Sequence, residues 1–218
     1  MVLGRWKFIF GLVLFCVITY CSYLLILLSL PYIHFERGIE FLATKELIYH
    51  IDWWRYSFYI HVFSSPVVIL TGLLQFNHFL IHQRKKTHRF LGILYILFVI
   101  FISGPSAFLM GLYANGGYLA QVSFVILSSC WIGFTIIAYL KVKKHNFESH
   151  SKWMLRSYAL TLSAITLRFY AYLFDVWNIP IPPKETYITL AYLSWVPNLI
   201  IVELILKTNY LTNLLQAR

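Results

Sequence analysis

The chain has 218 residues, of which 60% are hydrophobic, 19% aromatic and only 12% charged, with a mean hydropathy of +0.70. A water-facing domain carries about 25% charged residues, so this composition argues against a soluble fold and for a surface that meets lipid. The net charge of +10 sits in short clusters at the ends of apolar runs, with no continuous basic face, which argues against nucleic acid as a partner and matches the way membrane proteins set their orientation.

The first apolar run covers residues 8–30, behind Arg5 and Lys7. It is too long for a signal peptide and lacks a small-x-small cleavage site, so it reads as an uncleaved span. Residues 31–55 are mixed and carry Glu36, Arg37, Glu40, Lys45, Glu46 and Asp52. They read as an external loop with one interfacial helix, with Trp53, Trp54 and Tyr56 at headgroup depth. Further spans are expected at 56–81, 88–113, 118–140, 152–174 and 187–206, with Asn115-Gly116-Gly117 and the prolines between 178 and 183 as breaks. Cys16, Cys21 and Cys130 all fall in apolar runs, so no disulfide framework is expected.

Alternate connections hold thirteen Lys and Arg on one side of the bilayer and four on the other. This asymmetry places both termini in the cytoplasm and requires an even number of spans. The expected fold is therefore all-α, a single polytopic membrane domain of six transmembrane helices in the cell inner (cytoplasmic) membrane. Helices two to five would form the core, with the first and sixth outside it.

Ionisable side chains inside spans are costly and mark candidate sites. At 100° per residue, His150, Met154, Ser157, Thr161, Arg168, Tyr172 and Asp175 share one face of the fifth helix. His61, Ser65, Gly72, Gln75 and His82 share a face of the second, and His88, Gly92, Tyr95, Val99, Ser103 and Ser106 a face of the third. Each helix thus presents one polar or small stripe, as a bundle with a polar interior requires. His150 and Arg168 are 18 residues apart, about 27 Å along a helix. His82, His88 and His150 therefore gather at the cytoplasmic end, and His61 and Arg168 in the outer leaflet.

Two histidines on facing helices at equal depth are what a b-type haem needs, one imidazole on each side of the iron. His88 and His150 fit as axial ligands, with Arg89 and Arg156 as partners for the propionates and Tyr95 and Trp153 beside the cofactor. The bland alternative is a pair of interfacial histidines bonded to loops. A non-haem metal site from His78, His82, His88 and His150 is a further alternative, without any accompanying carboxylate or thiolate. His61, Gln75, Arg168 and Asp175 form a possible outer polar site for a quinone or a proton, against a purely structural hydrogen-bond network. The leading expectation is a haem- or metal-binding redox protein in contact with the lipid bilayer, a quinone or a redox partner protein. The competing one is a cofactor-free accessory or transport protein.

His61, Gly72-Leu73-Leu74-Gln75-Phe76, His88-Arg89-Phe90-Leu91-Gly92, Tyr95, Gly116-Gly117, Trp131, the stretch from His150 to Tyr158, and Arg168 form a combined motif. Over about residues 55–170 it resembles a bacterial membrane-protein family known as domain of unknown function 2306. That resemblance implies a membrane protein whose polar positions include His61, Gln75, His88, His150, Arg156 and Arg168, and implies no activity. A histidine-arginine pair opening one helix and a histidine opening another is also similar to the transmembrane b-type cytochromes, although an outer histidine pair is missing here.

Overall fold

The computed structural model describes residues 2–208, and the side chains of residues 2–8, 10 and 78 fall outside that description. Every regular element among the described residues is helical. Six stretches are long and apolar enough to cross a membrane: Gly11–His34, Asp52–Leu74, Lys85–Gly111, Tyr118–Lys143, Phe147–Val176 and Pro183–Lys207. Their outward faces carry large exposed apolar groups such as Leu12, Phe101 and Leu204. Water would not tolerate so continuous a belt, and lipid requires it.

The first helix, α1 (Val2–Ser29), runs into a 3₁₀ turn at Leu30–His34. The connection holds a second 3₁₀ turn, Glu40–Lys45. It packs against the outer end of α2 (Asp52–Leu74), where Tyr32, Leu42, Trp54, Phe58 and Tyr59 form a small aromatic core. The sequence reading carries the second span to residue 81, but α2 stops at Leu74. Asn77 then accepts a bond from the Leu80 amide and caps a separate short helix, α3 (His78–His82). An Asn side chain at an N-cap satisfies an amide that the first turn would leave bare.

Three of the remaining four spans are interrupted, at positions the sequence reading treats as continuous helix. The third consists of α4 (Lys85–Leu97), a π turn (Phe98–Ser103) and α5 (Gly104–Gly111). Pro105 has no amide to continue the α ladder, and the Gly104 amide reaches back to the Val99 carbonyl. A β-carbon at Gly104 would lie 2.3 Å from that carbonyl oxygen and 2.6 Å from Ile132, so no larger residue fits.

The fourth span is α6 (Tyr118–Lys143), unbroken. The fifth divides into α7 (Phe147–Thr161) and α8 (Ser163–Val176) at Leu162, and the sixth into α9 (Pro183–Leu193) and α10 (Val196–Lys207) at Ser194-Trp195. The second break follows from Pro197, which removes an amide and disfavours a helical residue before it. The two breaks are stitched together. The Asn198 Nδ2, with two hydrogens to give, lies 3.1 Å from each of three acceptors, the Ala159 and Ser194 carbonyls and the Thr166 hydroxyl, and Thr166 donates to the Ser194 carbonyl. Broken helices survive at membrane depth only where side chains satisfy the freed backbone in this way.

The tightest packing lies between α2, α4, α6 and α7, around Val68, Tyr95, Val99, Trp131 and Tyr158. Here α2 and α7 approach at Gly72, where a β-carbon would stand 2.5 Å from the Tyr158 ring and 2.8 Å from Tyr95.

Candidate functional site

The loop-side half of the bundle encloses a cavity of about 480 Å³. Its walls come from α1, α2, α5, α6, α8 and the external connection, through residues such as Leu25, Phe41, Phe58, Met110, Leu127 and Leu167. The first helix and the start of the sixth span therefore close this chamber, where the sequence reading sets them outside a four-helix core. Lipid-soluble ligands bind in such places, mostly apolar with a few placed polar groups.

His61 and Arg168, read from the sequence as an outer pair, both line the cavity. The His61 Nδ1 lies 3.1 Å from the Ser103 carbonyl, at the π turn. A carbonyl only accepts, so Nδ1 carries the proton and Nε2 keeps its lone pair. Arg168 donates one Nη1 bond, 2.8 Å long, to the Ala164 carbonyl of its own helix. None of the ion pairs among the described residues involves it. Asp175 does not join the site, lying outside the lining. Gln75 does not join it either. It lies four turns from His61 at the opposite end of α2, where its Nε2 donates to the His88 carbonyl at 3.3 Å and its side chain packs on Gly92.

The structure adds lining residues that sequence reasoning missed. Lys45, only 4% exposed, donates to the Tyr113 carbonyl and stands over the Phe41 and Trp54 rings at 5.6 and 5.9 Å. Burial pulls its amine down from the usual lysine value to about 8, because a desolvated ammonium is disfavoured. Trp54 is 1% exposed, and its indole nitrogen has no hydrogen-bond partner among the described residues. The signal for Lys45 and Trp54 was the amphipathic, aromatic-rich loop itself. The signal for the broken backbone was Gly104-Pro105 and Pro197-Asn198 within otherwise apolar runs.

The basic end, expected from the sequence to face the cytoplasm, is arranged differently. His150 Nδ1 lies 2.8 Å from the Ala138 carbonyl, so its Nε2 is likewise left with a lone pair. The buried Nδ1 of His88 has no partner among the described residues. His150 thus has the form of a ligating imidazole, held through one nitrogen with the other open, whereas His88 lacks such a holding bond at Nδ1 among the described residues.

The other residues expected around a haem are already committed. Arg156 clamps Glu203 of α10 through two bonds of 2.6 and 2.9 Å and stacks over Trp153 at 4.6 Å. Trp153 also packs on Phe134, and Arg89 is exposed. Tyr95 is fully buried, with its hydroxyl bonded to Ser157 at 2.7 Å and Thr161 at 2.8 Å. Gly72 and Gly92, whose small size could open a cofactor slot, are instead filled by Tyr158 and Tyr95 and by Gln75. Among the described residues, no three of His, Cys, Asp or Glu gather as a metal set. The pair therefore suits only a metal that brings its own equatorial ligands. The His78 side chain lies outside the described residues.

Six apolar spans, broken at three places and closed around an interior chamber, define a polytopic helical membrane protein in contact with the bilayer. The family described as "Predicted membrane protein (DUF2306)" matches residues 58–206, and the chain belongs to it. No curated protein and no solved structure matches.

Proposed function

We propose that this protein binds a lipid-soluble molecule in its outer cavity, with an oxygen-bearing head of the quinone class held at Arg168. The carrying observation is Arg168 itself. A permanent cation with one bond to its own helix, exposed on the wall of a chamber of about 480 Å³, has no carboxylate partner among the described residues. An uncompensated charge at membrane depth is expensive unless something in the chamber accepts its hydrogen bonds. The His61 lone pair and the unpaired Trp54 indole add an acceptor and a donor to the same lining. In this reading the basic end faces the cytoplasm, and the bilayer is the inner membrane.

Trp54 and Trp131 line the cavity and report on it directly. Titrating the detergent-solubilised protein with decylubiquinone should give saturable quenching of tryptophan fluorescence. Arg168→Gln should weaken it by roughly tenfold, the effect of losing about 1.4 kcal/mol of binding. Quenching that rises linearly without saturation, or that ignores Arg168→Gln, rejects the proposal.

The free Nε2 of His150 and the orphaned Nδ1 of His88 favour a second reading, haem ligation by that pair. If bound, haem would supply one-electron chemistry, with His88 and His150 holding the iron. Protein expressed with ample haem should then show a Soret band and reducible α and β bands, lost in His88→Ala and in His150→Ala but kept in His78→Ala. A colourless protein removes this reading and leaves the cavity untouched.

A further inference from the structure

Four cations crowd the start of α4 at the basic end: Arg84, Lys85, Lys86 and Arg89, all of them exposed. Lys85 and Lys86 lie four and three residues before Arg89, so these three are neighbours on the helix surface, where like charges destabilise one another. The chain has no carboxylate to offset them. No Asp or Glu occurs between Asp52 and Glu148. Six of the eight acidic side chains lie at the loop-side ends of the spans, and the two at the basic end are already engaged. Lys152 holds Glu148 at 2.6 Å, and Arg156 holds Glu203 at 2.6 and 2.9 Å. The other basic connection is thereby partly neutralised, and its Lys143 also stands over the Tyr139 ring at 5.7 Å. None of the ion pairs among the described residues includes a member of the α4 cluster.

Beneath these cations α4 turns an apolar face outward. Phe90, Ile93 and Leu97 are all exposed and fall within about 40° of Lys86 around the helix. Fully buried Tyr95 faces the opposite way. The rise from Lys86 to Leu97 is about 16 Å, against about 15 Å for the hydrocarbon of one leaflet. The segment before α4 adds two exposed rings, Phe76 and Phe79, and it is held in place. Asn77 caps α3, α3 packs against α4, and Gln75 Nε2 donates to the His88 carbonyl at 3.3 Å. Orientation in the membrane depends only on how many cations a connection carries. It does not call for them to be unpaired and set above a stripe one leaflet long.

We propose that Arg84, Lys85, Lys86 and Arg89 bind the phosphate head of an anionic phospholipid whose acyl chain lies along Phe90, Ile93 and Leu97. Phosphate oxygens accept charge-assisted hydrogen bonds from Lys and Arg, and the negative head relieves the repulsion among the four cations. A zwitterionic head brings a cation of its own and leaves that repulsion in place. A soluble anion meets the charges but not the apolar stripe. The site lies at the end of the bundle away from the outer cavity, so it is independent of what that cavity binds.

The test is native mass spectrometry of the detergent-solubilised protein, titrated with phosphatidylglycerol or with phosphatidylcholine of the same acyl chains. The first phosphatidylglycerol should bind at least roughly thirtyfold tighter than phosphatidylcholine. Each cation beside an anionic head contributes about fivefold, so Lys86→Gln/Arg89→Gln should weaken phosphatidylglycerol by roughly thirtyfold and leave phosphatidylcholine unchanged. Lys143→Gln/Lys144→Gln removes the same charge from the other basic connection and should stay within about threefold of wild type. If Lys86→Gln/Arg89→Gln shows no cooperative thermal transition, Arg84→Gln/Lys85→Gln takes two charges from the same cluster with the same expected loss. Equal affinity for the two lipids, equal losses in the variants of the two connections, or displacement of the lipid by an equal concentration of inorganic phosphate overturns the site.

Discussion

The two halves of the bundle use the same kinds of residue to opposite ends. On the basic side, glycines let helices close until side chains from neighbouring helices fill every gap: Tyr158 and Tyr95 cover Gly72, and Gln75 covers Gly92. On the loop side, a glycine and two prolines break the backbone instead. The bundle opens there into a chamber with Arg168 and His61 in its wall. Small residues at helix contacts in lipid gain packing energy where backbones meet. Discontinuous helices at a chamber are where membrane proteins place ligands. One half holds the fold together, and the other is built to be entered.

The sharpest way to break this contrast is a small apolar addition in each half. Gly72→Ala pushes a methyl into the Tyr158 ring, and neither tyrosine is free to swing aside. Tyr158 is bonded to the Ile69 carbonyl at 3.2 Å and Tyr95 is held by Ser157 and Thr161. Overpacking of this kind costs about 3 kcal/mol, read as a large fall in the detergent thermal transition. Ala107→Val adds two methyls to the cavity wall and should change stability by no more than about 0.5 kcal/mol. Equal losses at the two positions would mean that the outer chamber is not open.

The second prediction concerns the chamber's mouth. The Lys45 amine is held near 8 in the folded protein against 10.5 when unfolded. Below pH 8 both states are protonated, and the fold bears the full cost of burying an ammonium. Between pH 8 and 10.5 the unfolded chain binds the extra proton, so stability rises with pH across that window, by on the order of 2 kcal/mol. The wild-type protein compared with Lys45→Met between pH 7 and 10 should isolate this gain, since other titrating groups are common to both. A wild-type profile parallel to that of Lys45→Met would place Lys45 in water.

How much of this was legible beforehand depends on which dimension a residue pattern encodes. Span number and class follow from apolar length and the alternation of basic clusters, and the family from the combined motif between His61 and Arg168; all of these lie along the chain. The angular stripes also put His61 and Arg168 on inward faces, and both line the cavity. A helical wheel discards depth, however. Gln75 shares a face with His61 yet lies 14 residues away, about 21 Å, and so serves the other end of the bundle. Partners across helices are invisible for a different reason. Arg156 looks free along α7, and its carboxylate lies on α10, 47 residues downstream. Lys45 was obscured because a loop has no period from which to infer what it covers.

The smallest expected effect tests where the packed half ends. Arg156 and Glu203 form a two-bond clamp, but Glu203 is 47% exposed at the side chain and Arg156 is 20% exposed. Solvent screening holds such a rim pair to roughly 0.2–1 kcal/mol. Arg156 also keeps its stack on Trp153 when the carboxylate is gone, so the guanidinium is not left bare. Glu203→Gln should therefore lower stability by about 0.5 kcal/mol, with the difference from wild type shrinking as salt is raised. A loss of several kcal/mol that ignores salt would show the clamp to be buried in the assembled protein. The packed half would then reach past His88 and His150, leaving no solvated margin at which that histidine pair could meet an aqueous partner.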